Sequence, residues 1–126
     1  MKRLLLICGL LFGIHSYAAT TPTSVETYTK DFMAQLEKNI SLSDDQKEAM
    51  IDALTNNISD REDILQTYKG QSGLKVKKEI KKELEAVNAN LQSEAQEILT
   101  PEQYSKFLEV QGKNQAAVRE RVQENY

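Results

Sequence analysis

The stretch Leu99-Thr100-Pro101-Glu102-Gln103 is a complete helix start, and it divides the chain around it. Thr100 has a hydroxyl that can cap the free backbone N–H groups of a first turn, and Gln103 can reach back to the N–H of the capping residue. Pro101 stands at the first helical position, where its missing N–H costs little. The stretch therefore predicts a helix from Pro101 onward, and it contains no catalytic group.

A second copy of this pattern lies 57 residues earlier, at Leu42-Ser43-Asp44-Asp45-Gln46. Both copies read Leu-[Ser/Thr]-x-[Asp/Glu]-Gln, and Ser43 keeps the capping hydroxyl. The acids in each first turn suit the positive end of the helix dipole. The two stretches, called here the first box and the second box, are thus interpreted as structural, with their role residing in helix capping.

The segments between and around the boxes have apolar residues at three- and four-residue steps, which is typical of helices with one buried face. The four predicted helices run from the Thr23 cap to about Asn39, from the Ser43 cap to the Gly70–Gly73 break, from Leu74 to Ile98, and from Pro101 towards Gln123. No window alternates as a strand. We therefore predict an all-α fold of four helices, in which the long middle two form an antiparallel hairpin.

Three residues depart from these helical patterns. Arg61 interrupts the apolar positions of the second helix, and Gln111 is the polar member of those in the fourth. Gly112 should weaken the fourth helix by about 1 kcal/mol relative to Ala, and it could mark a bend or a close helix contact. The run Arg119-Glu120-Arg121 is interpreted as a solvated end of that helix.

The first residues resemble a secretory signal. Lys2 and Arg3 precede an apolar run of 11 residues, Leu4–Ile14, which is too short to span a bilayer. Ser16-Tyr17-Ala18 fits a small-x-small cleavage site, so we expect residues 1–18 to be removed and residues 19–126 to form a single domain. Lipidation at Cys8 is the alternative, but Ile7 is larger than the residue that usually precedes a lipidated Cys.

The expected mature chain has neither Cys nor His, since Cys8 and His15 leave with the signal. This composition excludes thiol chemistry, imidazole catalysis and a histidine pH switch. With 14 basic and 19 acidic residues, the mature charge of −5 argues against a nucleic-acid binder, and no second segment predicts membrane insertion. Six aromatic residues make a thin core, which favours pairing with a second copy.

Two such boxes in a small exported helical chain resemble the Spy/CpxP family of periplasmic proteins, which is named for its LTxxQ motif. The motif residues carried over as structural are Leu42, Ser43, Gln46, Leu99, Thr100 and Gln103. The resemblance implies a cradle-shaped homodimer in the periplasm that binds unfolded or partly folded client proteins without ATP under envelope stress. It implies no catalytic residue and no cofactor. Some relatives instead bind the periplasmic domain of an envelope-stress sensor kinase, and others respond to metals.

Two groups of residues are candidates for client binding. Lysines crowd the start of the third helix, against its dipole, at Lys75, Lys77, Lys78, Lys81 and Lys82. They could attract acidic clients, or form a solvated face paired in part through Lys75–Glu79 and Lys81–Glu85. Phe32 and Met33 could contact clients or pack in the core. Of Asp44, Asp45 and Asp52, first-turn electrostatics explains the first two without a metal. A carboxylate site for a hard cation stays open, but no calcium-loop pattern is present and no metal site is predicted.

Overall fold

The computed structural model of the chain describes residues 24–126. Its helices are α1 (Ser24–Glu37), α2 (Asp44–Thr67), α3 (Leu74–Ile98) and α4 (Pro101–Asn125). Residues 24–126 contain no strand, so the predicted all-α class is confirmed. The α3 bounds are as predicted, whereas α1 ends before Asn39 and α4 extends past Gln123. Thr23 and the predicted signal lie outside the described residues.

The turn between α2 and α3 depends on two glycines with positive φ. Gly70 has φ 89° and Gly73 has φ 113°, conformations that residues with a Cβ rarely adopt. The turn reverses the chain so that α2 and α3 run antiparallel, with Asn57 donating to the Val87 carbonyl at 3.1 Å. Tyr68, just past the end of α2, donates to the Glu83 carboxylate.

The apolar interior consists of two separate clusters. The larger cluster joins α1 to the starts of α2 and α4 and the end of α3, and its fully buried members include Leu36, Met50, Leu54 and Phe107. The smaller cluster is formed by Leu65, Ile80 and Val122, with partly buried apolar neighbours around them. The middle of the hairpin is therefore not apolar throughout.

Buried polar side chains occur along the helices where the two clusters meet. Asn57, Arg61 and Gln111 are each at most 9% exposed. Gln92 Nε2 donates to Gln111 Oε1 at 2.7 Å, and Gln111 Nε2 reaches the Asn88 carbonyl at 3.5 Å. Arg61 and Gln111 thus belong to the buried faces that they seemed to interrupt.

Gly112 does not mark a close helix contact, so that part of the prediction is wrong. It lies within the continuous helix α4, and no neighbouring atom lies within 4 Å of the position that a Cβ would take. Within residues 24–126, no helix is both long and apolar enough to cross a membrane.

Candidate functional site

Both boxes form capping boxes at the starts of α2 and α4. Ser43 Oγ accepts from the Gln46 N–H at 3.1 Å, while Gln46 Oε1 accepts from the Ser43 N–H at 3.0 Å. In the second box the corresponding distances between Thr100 and Gln103 are 3.2 and 2.9 Å. Each pair of bonds satisfies backbone donors that the helix itself leaves without a partner.

The two boxes also contact each other through their glutamines, which the sequence did not predict. Gln46 Nε2 donates to Gln103 Oε1 at 2.8 Å and to the Ile98 carbonyl at 3.1 Å. Gln103 Nε2 donates to Gln46 Oε1 at 3.3 Å and to the Ser41 carbonyl at 2.7 Å. Since Ser41 and Ile98 occupy the same position relative to their boxes, the contact is reciprocal. It joins the α1–α2 connection to the α3–α4 connection.

The leucines of the two boxes hold the same end of the molecule. Leu99 is buried in the larger cluster, and Leu42 packs against that cluster from a partly buried position. The boxes therefore connect the starts of α2 and α4 through the hydrogen bonds between Gln46 and Gln103 and through the apolar packing of the two leucines beside them. They fix how the α2 and α4 starts are placed, and no reactive group is present among them.

A groove lies between α3 and α4, and residues of α2 contribute to its lining. Its volume is about 640 Å³. The apolar lining is provided chiefly by Ile58, Ile80, Leu84, Leu91, Val118 and Val122. Between these side chains lie the amides of Asn57, Asn88, Gln92, Gln111, Asn114 and Gln115.

Positive charge is concentrated in this groove. The charged residues of the lining are Arg61, Lys77, Lys78, Lys81, Arg119 and one acid, Glu85. The chain as a whole has net charge −3, so the groove differs in sign from the average surface. Lysines from the start of α3 supply three of these cations, because one face of that helix borders the groove.

Some of the candidate client-binding residues line this groove, and others lie outside it. Lys78 and Lys81 line the groove, together with Lys77, whereas Lys75 and Lys82 are exposed outside it. The ion pairs within residues 24–126 include neither Lys75–Glu79 nor Lys81–Glu85, so the predicted pairing along α3 is not formed. Phe32 and Met33 lie in the larger cluster, 4% and 7% exposed, and Phe32 also contributes to the groove.

A charged cluster joins α1, α2 and α4 next to the groove. Arg121 binds the Glu62 carboxylate through both terminal nitrogens, at 2.8 and 3.0 Å, and Arg61 Nε donates to Glu62 at 3.3 Å. The Arg61 guanidinium carbon lies 4.9 Å from the centre of the Tyr28 ring, in reach of a cation–π interaction. The expectation that Arg121 belongs to a solvated helix end is therefore wrong.

The cluster changes the pKa values of its members. Burial lowers the pKa of Arg61, against the effect of Glu62. Burial also acts to raise the pKa of Glu62, but the hydrogen bond and charge of Arg121, together with Arg61, outweigh it and lower that pKa. The hydrogen bond from Arg121 to Glu62 raises the pKa of Arg121. At neutral pH the three residues carry two positive charges and one negative charge.

Residues 24–126 bring no group of three or more His, Cys, Asp and Glu side chains together as a metal site. No family model, curated protein or solved structure matches the chain.

Proposed function

We propose that this protein is an ATP-independent periplasmic chaperone that holds unfolded or partly folded proteins during envelope stress, as the Spy/CpxP resemblance implies. The observation that supports the proposal best is the groove between α3 and α4, in which aliphatic side chains lie beside five cations. Cations attract acidic segments over a distance, and aliphatic surface then retains exposed apolar residues. Many weak contacts of this kind suit reversible capture.

The proposal extends to the assembly and location of the protein. A homodimer would enlarge the surface available to clients and add burial to a core divided into two clusters. Export by the N-terminal signal would place the protein in the periplasm. Size-exclusion chromatography with light scattering measures the assembly state, and mass spectrometry of the exported protein measures the cleavage site expected after Ala18.

Light scattering of an aggregating client without nucleotide tests the chaperone proposal. We expect suppression at a several-fold molar excess of the exported protein, and suppression that weakens when Lys78 and Lys81 are both replaced by Gln. The double replacement of Lys75 and Lys82 is the matched control, since these lysines lie on the same helix but outside the groove. Undiminished aggregation at every ratio would reject the proposal.

A further inference from the structure

The two ends of the groove differ in chemistry. Because α3 and α4 run antiparallel, the Lys77–Gln123 contact lies at one end and the Gln92–Gln111 contact at the other. The end that we call basic contains Lys77, Lys78, Lys81 and Arg119, and the end that we call neutral contains Leu91, Gln92 and Gln111. From Lys77 to Gln92 the helix rises by about 22 Å. Positive charge is therefore concentrated towards one end of the groove, while apolar side chains line it along its length.

The basic end has more positive charge than negative charge, since Glu85 is the one acid among the described residues of the groove lining. Within residues 24–126, none of Lys78, Lys81 and Arg119 is in an ion pair. An anion bound here would be attracted by three cations that the described part of the fold does not pair with a carboxylate.

The neutral end carries amides as well as apolar side chains, and some of those amides already donate to acceptors within the fold. Gln92 Nε2 donates to Gln111 at 2.7 Å, and Asn114 Nδ2 donates to the Val110 carbonyl at 2.9 Å. The side chains left to contact a ligand between the two ends include Leu84 and Val118. These two side chains provide apolar surface that an alkyl chain could contact.

The size of the groove selects among anionic occupants. Its volume of about 640 Å³ lies within the range of small-molecule sites. Three turns of a helix about 10 Å across occupy roughly 1,300 Å³, so an amphipathic helix would be held only in part. We propose that the groove binds a single-chain alkyl carboxylate, with the carboxylate among Lys78, Lys81 and Arg119 and the chain extending towards Leu91. This site shares the groove, Lys78 and Lys81 with the proposed client-binding surface, but binding of a small carboxylate is measured without any client.

Calorimetric titration of the protein expressed from its full sequence tests this site. The probes are octanoate, decanoate and dodecanoate below their micelle concentrations, with 1-octanol as the uncharged comparison. We expect affinity to rise with chain length, by up to about fourfold for each buried methylene. Octanoate should bind about tenfold more tightly than octanol, because charge-assisted hydrogen bonds hold the carboxylate. The absence of binding, or equal affinity for the alcohol, would overturn the proposal.

Paired variants separate a specific site from general charge attraction. Replacing Lys81 and Arg119 by Gln should weaken decanoate about tenfold and leave octanol unchanged. The control, Lys75→Gln with Lys82→Gln, removes the same charge outside the groove and should change decanoate affinity by less than about twofold. Circular dichroism establishes that both variants are folded. Equal losses in the two variants would show non-specific attraction and refute the site. The site would also be refuted if an acidic peptide displaced decanoate and carboxylates with longer alkyl chains did not.

Discussion

The side-chain amides of Gln46 and Gln103 hydrogen-bond to each other and, together with nearby backbone groups, use every donor and acceptor that they have. With Nε2 of Gln46 2.8 Å from Oε1 of Gln103, and the reverse pair at 3.3 Å, each amide nitrogen donates twice. Each Oε1 accepts from the partner glutamine and from the N–H of its own capping residue. An amide has two donors and room for two acceptor contacts, so both side chains use their full capacity. Glutamine is therefore required for reasons beyond helix capping.

Because Gln46 and Gln103 hydrogen-bond to each other, we predict that Gln103→Glu destabilises the fold. A capping box accepts Glu as readily as Gln, so capping alone predicts little change. In place of Gln103, however, Glu lacks both donors and places a carboxylate against Gln46 Oε1, which should cost about 1–3 kcal/mol. Urea unfolding at pH 7 measures the free energy of unfolding. Gln96→Glu, at an exposed position on α3, is the control and should stay within about 0.5 kcal/mol. If Gln103→Glu is as stable as the parent protein, the two glutamines contribute to stability only by capping their helices.

Gly73 and Gly112 both have room for a Cβ but differ in backbone conformation. Replacing each by alanine should therefore change the free energy of unfolding in opposite directions. No neighbour lies within 4 Å of a Cβ built at Gly112 or at Gly73, but Gly73 has φ 113°. Gly112→Ala should raise the free energy of unfolding by about 0.5–1 kcal/mol, because it restricts the unfolded chain and favours helix. Gly73→Ala should lower it by about 1–3 kcal/mol, because its backbone conformation is nearly restricted to glycine. Thermal unfolding of both variants provides the comparison, and a shift of the same sign in both would contradict the argument.

Glu62 should make the stability of the fold depend on acid pH. Its pKa is lower in the folded chain than the unfolded value of about 4.3, so its stabilising contribution is present above that value. The contribution is lost as pH falls through the folded pKa. Glu62→Gln should therefore be less stable than the parent at pH 7, and the difference should shrink as pH falls from 7 into the acid range below about 5. Urea unfolding across this range tests it, with exposed Glu120→Gln as the control. A difference that is constant with pH would contradict the prediction.

Tyr68 should titrate at a higher pH than an ordinary tyrosine. Its hydrogen bond to Glu83 raises the pKa of the phenol to about 12, with smaller effects from desolvation and from the charges of Glu83 and Glu79. Replacing Glu83 by Gln should return the pKa towards about 10, the ordinary value for tyrosine. NMR titration of the Tyr68 ring resonances measures this shift. Glu79→Gln, which removes a charge without the hydrogen bond, should have the smaller effect.

If the protein captures acidic clients through its lysines, the association rate should depend on salt. Screening shortens the reach of charge from about 30 Å at 0.01 M salt to about 10 Å at 0.1 M. Stopped-flow mixing with an acidic client should therefore be slower at the higher salt concentration. In the Lys78→Gln, Lys81→Gln variant this slowing should be smaller. Equal capture rates at both salt concentrations would exclude steering by the lysines.

The helices and their starts could be read from the sequence because they depend on local interactions. The capping hydroxyls of Ser43 and Thr100 act within one turn, and three- to four-residue apolar steps mark a face wherever it packs. Gly70 and Gly73 marked the turn because their backbone conformation is a property of glycine. The α3 bounds, Leu74 and Ile98, agree with the prediction for these reasons.

The tertiary structure alone decided which residues meet across the fold. In the sequence, Gln46 and Gln103 occupy the same position in the two boxes, 57 residues apart. They come into contact only because α3 packs antiparallel to α2 and to α4. Likewise, Arg61 and Arg121 are cations on different helices, and their common partner Glu62 follows from how α2 and α4 pack. The groove divides the lysines of α3 in the same way, since a helix shows one face to its neighbour. Local patterns determine helices, whereas long-range contacts depend on how those helices are placed in space.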